Sequence, residues 1–252
     1  MFRFFSFVVC LFISVGLPFA SYAASVEEED IYVNEREVMR WLDAAEDATK
    51  GYARHIGQIK QGQGDLYNHM YALRAYYSKS AQYDPFAKTT LKKMEHYAYV
   101  MDTSADLREA NEAAIEYRKL LDMHLVNWDV LEYAILMSSL DVRYGSERFL
   151  KSVQYTLKRI LDIPRLDGLS PGAAFPIVSY GEETYLIQKH GGVVQKSELF
   201  EVTKKYYNVH DVVTKSGDYI QVYINVTTPI RQLQIKRAAH RTERVIRLPG
   251  QQ

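Results

Sequence analysis

The sequence predicts an α+β fold: an antiparallel stack of about six helices, followed by a small antiparallel β-sheet subdomain. Three observations predict it. Between residues 34 and 163 apolar side chains recur at three- and four-residue steps, broken by short polar turns. After Arg165 the helical period stops, and turn formers alternate with runs of β-branched and aromatic residues. Finally, a hydrophobic content of 47% with 25% charged residues is that of an ordinary folded chain, which excludes a disordered, collagenous or multi-span membrane protein.

Taken in order, residues 1–23 have the layout of a secretory signal peptide. Arg3 precedes an apolar run from Phe4 to Leu17, Pro18 breaks it, and Ser21 and Ala23 put small residues at a cleavage site. The run is shorter than the roughly 20 residues an anchor helix needs. Cleavage after Ala23 removes Cys10, the single cysteine, and with it any prospect of a disulfide or thiolate cage. Residues 24–33 form an acidic lead; between 25 and 50 nine acidic residues face three basic ones.

The helical region is expected to span 34–163. Asn34 with Glu37 makes a capping box for a first helix with Val38, Trp41, Ala45, Ala48, Tyr52 and Ile56 inward. Gly62-Gln63-Gly64 ends it, and Leu66, Met70, Leu73 and Tyr77 mark a second. Asp84-Pro85 reads as the start of a third. Thr103 with Asp106, Asn127, and Ser146 open the fourth, fifth and sixth, and Pro164 stops the last. The helix pairs resemble tetratricopeptide units in length, with no legible sequence repeat.

A β-subdomain over 164–228 follows. Asp167 to Gly172 is a turn; Phe175–Ser179 and Thr184–Ile187 read as strands or strand ends, and Tyr207–Val213 with Tyr219–Val226 as a hairpin across Ser216-Gly217-Asp218. Such a small sheet needs the helices to cover its apolar face. Residues 229–252 read as a basic tail outside the core, in which Arg231, Lys236, Arg237, Arg241, Arg244 and Arg247 outnumber Glu243.

With these parts in place, residues of about 60–228 resemble a bacterial family of exported proteins, a domain of unknown function. The matching residues are Leu73-Arg74 with Tyr77, Tyr83-Asp84-Pro85-Phe86, Asp167-Gly168-Leu169-Ser170-Pro171, Ala174-Phe175, Ile177-Val178-Ser179, Glu182-Glu183, Tyr185, and Tyr223-Ile224-Asn225-Val226. Thr184 departs from the pattern between the glutamates and the tyrosine. The resemblance implies architecture and export, and no chemistry.

The candidate residues fall into two sets. Asp167, Glu182, Glu183 and His190 are the acids and base of a hydrolase at the helix–sheet junction, although the glutamates read first as a solvated turn and His190 as a strand-ending one. Tyr67, Tyr71, Arg74 and Tyr77 make a mixed aromatic and basic stripe suited to binding, since tyrosine buries area while keeping a polar tip. Twenty tyrosines make this stripe notable, with helix packing as the competing explanation. His210 and Asp211, as neighbours on a strand, face opposite ways. No histidine pair has metal spacing, Ser170 and Ser179 lack a nucleophile elbow, and no phosphate loop or cofactor motif occurs. A formal net charge of zero gives no basic footprint for nucleic acid. The function expected is an exported, non-enzymatic interaction module whose partner is a protein or envelope component, with the tail contacting an anionic surface; the alternative is the hydrolase.

Overall fold

Capping side chains set where four of the described helices begin. The computed structural model describes residues 35–163 and 165–246, so the expected signal peptide, the acidic lead and the Asn34 cap lie outside the described residues. Helix α1 (Glu35–Lys60) buries Ala45, Ala48, Tyr52 and Ile56 along one face. Asp65 caps α2 (Leu66–Tyr77) by accepting from the Asn68 N–H at 3.1 Å. Helix α3 (Lys88–Thr103) starts three residues after the expected Asp84-Pro85, behind Ala87 in a left-handed conformation (φ 54°). The Asp84 carboxylate instead accepts the Thr90 hydroxyl at 2.9 Å, tying the loop to the first turn of α3. Asn127 and Ser146 cap α5 (Trp128–Leu140) and α6 (Glu147–Leu161) as expected, whereas α4 (Leu107–Met123) is capped by Asp106 alone, because Thr103, the expected start of its capping box, is the last residue of α3.

Asn127 joins two layers of the stack. Its carbonyl accepts from Asp129 N and Val130 N, while its amide donates to the Asp84 carbonyl at 2.7 Å. The Tyr77 hydroxyl donates to the same Asp84 carbonyl at 3.0 Å and lies 2.9 Å from His124 Nδ1. Burial pushes the His124 imidazole down to about 4, so it is neutral at ordinary pH. Asn127→Ala should therefore cost about 1–2 kcal/mol, the cap and one buried hydrogen bond, read as a lower urea midpoint at constant m-value.

The sheet holds four strands: β1 (Phe175–Pro176), β2 (Val193–Val202), β3 (Lys205–Val213) and β4 (Tyr219–Asn225), in the order β1-β4-β3-β2. The β3–β4 hairpin is the expected one, with Val209 opposite Tyr223. Three expectations are corrected. The sheet is mixed, because β1 pairs parallel to β4. Residues Tyr180–Lys189 form a helix, α7, where a strand or turn was expected. Acidic Glu182 and Glu183 occupy its positively polarised first turn, and Leu186 and Ile187 recur three to five residues on to complete a buried face. Strand β2 is new, since its polar run Gln195-Lys196-Ser197-Glu198 hides the alternation on an edge strand with little burial.

The tail expectation changes too. Thr227–Ile246 is a helix, α8, that packs on α1 and β3 and buries Ile230, Ile235 and Ala239. Lys236 donates to the carbonyls of Ala81 (2.8 Å) and Tyr83, so this basic residue closes a loop of the core. Arg231 donates to the Lys204 carbonyl at 3.3 Å. Side chains 240–246 and residues 247–252 lie outside the described residues. Residues 35–163 and 165–246 belong to one compact unit in which helices cover the face of the sheet carrying Asn208, His210, Val212, Val222 and Ile224. No helix among the described residues is long and apolar enough to cross a membrane.

Candidate functional site: helix α7 and the cleft beside it

Helix α7 is short, and its first turn gathers most of the buried charge. The Tyr180 N–H donates to the Pro85 carbonyl at 2.9 Å, and Ser179 Oγ accepts the Trp128 N–H at 3.2 Å, so the helix is pinned to both the α2–α3 loop and α5. Gly181 lies under Asp129: a Cβ there would stand 2.4 Å from Asp129 Oδ1, so only glycine admits that carboxylate. Tyr180 stacks on Phe86 with centroids 4.4 Å apart, and Tyr185 stacks on Trp128 at 4.7 Å.

Consecutive residues on a helix point about 100° apart, and Glu182 and Glu183 accordingly serve different layers. Glu182 is fully buried and forms an ion pair with Arg74 Nη1 of α2. Its second oxygen accepts the Val178 N–H at 3.0 Å, and Arg74 Nη2 donates to the Pro176 carbonyl at 3.3 Å. Burial pushes the Glu182 carboxyl up, against the pull of Arg74.

Glu183 turns to the sheet. It accepts from Asn208 Nδ2 at 3.0 and 3.1 Å and from His210 Nε2 at 2.5 Å. On the other side of the ring, His210 Nδ1 lies 2.7 Å from Ser197 Oγ. Ser197 and His210 are directly opposed on β2 and β3, so a cross-strand pair and one helix residue build the relay Ser197–His210–Glu183. Sequence reasoning placed His210 correctly on a strand and missed Ser197, because β2 itself was not legible.

The expected solvated turn at Glu182-Glu183 is thus overturned: both are buried, at 0% and 5% exposure. The expected hydrolase quartet splits. Asp167 is exposed and caps its own turn, accepting the Leu169 N–H at 2.9 Å. His190 ends α7 half-buried, its ring 6.1 Å from that of Phe175, and its Nε2 has no hydrogen-bond partner among the described residues. Burial lowers the His190 pKa while Asp167 raises it, so these two are neighbours, but neither Glu182 nor Glu183 bonds to either.

The aromatic stripe divides as well. Tyr77 is a core residue, fully buried, and is withdrawn as a surface group. Tyr67 is half-buried with the Arg159 guanidinium 5.4 Å from its ring centre. Tyr71 is 61% exposed at the rim of a cleft of about 250 Å³, whose floor holds Arg74. Ala75, Ile163, Phe175 and Ile177 supply apolar wall, and Thr228 also lines it. Two of the four stripe residues, Tyr71 and Arg74, therefore meet at one hollow.

Among the described residues no group of three or more histidines, cysteines or carboxylates is arranged to hold a metal ion. Comparison of the chain with protein-family models, curated proteins and solved structures finds no match.

Proposed function

We propose that this protein is an exported interaction module, and that the cleft beside α2 takes one aliphatic or aromatic side chain of a protein partner. One observation carries the reading: an exposed tyrosine, Tyr71, stands over an apolar hollow whose charged floor is already neutralised. Pockets for drug-sized ligands begin at about 300 Å³, so about 250 Å³ suits a single side chain better than a free metabolite. Arg74 is paired with Glu182, so the hollow has no net pull on an anion. Tyrosine at a rim is the residue type that anchors protein interfaces. Export rests on the signal-peptide layout of residues 1–23, and protein recovered outside the cytoplasm should begin at Ala24; a retained Met1 would contradict it. Contact with an anionic surface through Arg231, Lys236, Arg237, Arg241, Arg244 and Arg247 belongs to the same proposal, although Lys236 also donates to core carbonyls.

The cleft is tested by NMR titration with N-acetyl-phenylalanine amide and N-acetyl-leucine amide against the asparagine amide. The apolar pair should shift the Ala75 and Ile163 amides, and Ala75→Trp, which fills the hollow from an exposed position, should abolish the shifts. Shifts that are absent, or that survive Ala75→Trp, would contradict the reading.

A second reading, a serine hydrolase, is supported by the Ser197–His210–Glu183 relay alone. In it the Ser197 proton passes to His210 Nδ1 as the oxygen attacks an ester carbonyl, and the alkoxide leaving group takes that proton. A fluorophosphonate separates the two. The interaction module predicts no label; stoichiometric label lost in Ser197→Ala would establish the hydrolase.

A further inference from the structure

The turn between β2 and β3 is built at a conformational cost. Thr203 and Lys204 both take positive φ, 49° and 62°, the left-handed region in which a side chain crowds its own backbone. A two-residue hairpin turn of this kind ordinarily carries asparagine or glycine. Here a lysine stands where glycine would relieve the crowding. Helix α8 holds the turn in shape: Arg231 donates to the Lys204 carbonyl at 3.3 Å, and Thr227 Oγ1 accepts the Tyr206 N–H at 2.9 Å.

The tip so fixed is amphipathic. Phe200 pairs with Tyr207 and Val202 with Lys205 across the hairpin, so these four side chains share the face of the sheet opposite His210. Tyr207 is buried on that face with Val209 and Ala174. Phe200 and Val202 are not: they are 44% and 47% exposed. Lys204, Lys205 and Arg231 stand exposed at the same end of the hairpin. The carboxylates of β2 are turned elsewhere, since Glu198 pairs with Lys196, and Glu201, opposite Tyr206, lies on the other face.

Charge and apolar area together select the partner. An acidic protein surface would take the cations and leave Phe200 and Val202 in water. A bilayer containing anionic lipids offers phosphates to lysine and arginine, and the boundary between headgroups and acyl chains to the apolar side chains. Lysine stems lie along apolar surface while their ammonium groups stay at the phosphates. We infer that the β2–β3 tip, Phe200, Val202, Lys204 and Lys205 together with Arg231 of α8, is a docking surface for an anionic lipid bilayer. The inference rests on the anionic-surface contact proposed above, moves its centre from the tail to the hairpin, and is independent of the cleft. A glycine turn would fold with less strain and would lack one of these cations.

The test is co-sedimentation of the processed chain, Ala24 onward, with vesicles of phosphatidylcholine and phosphatidylglycerol in equal parts, against phosphatidylcholine alone. Binding should be confined to the anionic vesicles. Each lysine removed should cost about fivefold in the partition coefficient, so Lys204→Gln/Lys205→Gln should cost about 25-fold. Phe200→Ser/Val202→Ser should weaken binding about 10-fold, which a purely electrostatic contact would not show. Lys204→Gly should weaken binding about fivefold while raising the melting temperature, a combination that loss of the fold would not give. Binding unchanged in both double variants and lost only in Arg241→Gln/Arg244→Gln/Arg247→Gln would overturn the hairpin assignment and leave the tail contact standing. No binding of the unaltered chain to anionic vesicles would overturn both. Polyglutamate binding that survives Phe200→Ser/Val202→Ser, without vesicle binding, would give the tip to an acidic protein instead.

Discussion

Glu182→Ala is expected to cost about 3–5 kcal/mol of folding stability, because it strands the Arg74 guanidinium in the interior without its counter-charge. The Arg74 side chain is 10% exposed and that of Glu182 is 0% exposed, so water replaces little of what is lost. The substitution also removes the acceptor of the Val178 N–H, a further buried donor left unmade. Arg74→Met/Glu182→Leu, which removes both charges, should recover most of the loss, since apolar pairs of similar volume match or exceed buried ion pairs. Urea unfolding of the two single variants and the double variant measures this. A Glu182→Ala cost under about 1 kcal/mol would mean that the pair behaves like a solvated surface bridge.

The second large effect is in the pH dependence. Asp129 sits against Gly181 near the first turn of α7, and burial first, then the Glu132 carboxylate, raise its pKa to about 7 from 3.8. Its folded pKa is therefore above its unfolded one. The stabilisation is complete below about 3.8 and is lost as pH rises through about 7. At 1.36 kcal/mol per unit, about three units correspond to roughly 4 kcal/mol. Two helix N-termini, each worth roughly 0.3–1 kcal/mol to the carboxylate, offset part of this and leave about 2–4 kcal/mol. Asp129→Asn should thus be the more stable protein at pH 8 and close to wild type at pH 4. His124 acts in the opposite sense, its contribution present above about 6.5 and lost as pH falls through about 4, so the comparison of the two proteins, not the wild-type profile, isolates Asp129. A variant whose stability curve parallels wild type from pH 4 to 8 would contradict the raised pKa.

The helical half was legible because its signals are local. Caps at Asp106, Asn127 and Ser146 and stripes such as Ala45, Ala48, Tyr52 and Ile56 depend only on neighbours in sequence. Around α7 the deciding forces are tertiary. Thr184-Tyr185-Leu186-Ile187 has strand-forming residues, yet Glu182 and Glu183 are buried one turn earlier by partners far away in sequence, Arg74 and His210. Short apolar runs do not distinguish strand from helix, and the partners decided it. Strand β2 escaped notice because its polar residues suit an edge. Helix α8 escaped because Ile230, Ile235 and Ala239 are too widely spaced to signal a stripe. Arg74 and Glu182, far apart in sequence, touch, while Glu183 belongs to the sheet, and no local pattern signals either contact.

These contacts make α7 the piece that ties the helical stack to the sheet: Glu182 reaches α2, Glu183 reaches β3, and Gly181 seats Asp129 of α5. The same ion pair forms the floor of the cleft, so the site exists only when both layers are assembled. Hydrogen exchange read by mass spectrometry across a urea series tests this most directly. Peptides from α2, α7 and β3 should lose protection at one shared midpoint, and Glu182→Ala should move all three together. Protection that persists over residues 205–225 after α2 has exchanged would show two separately folding layers and contradict the account.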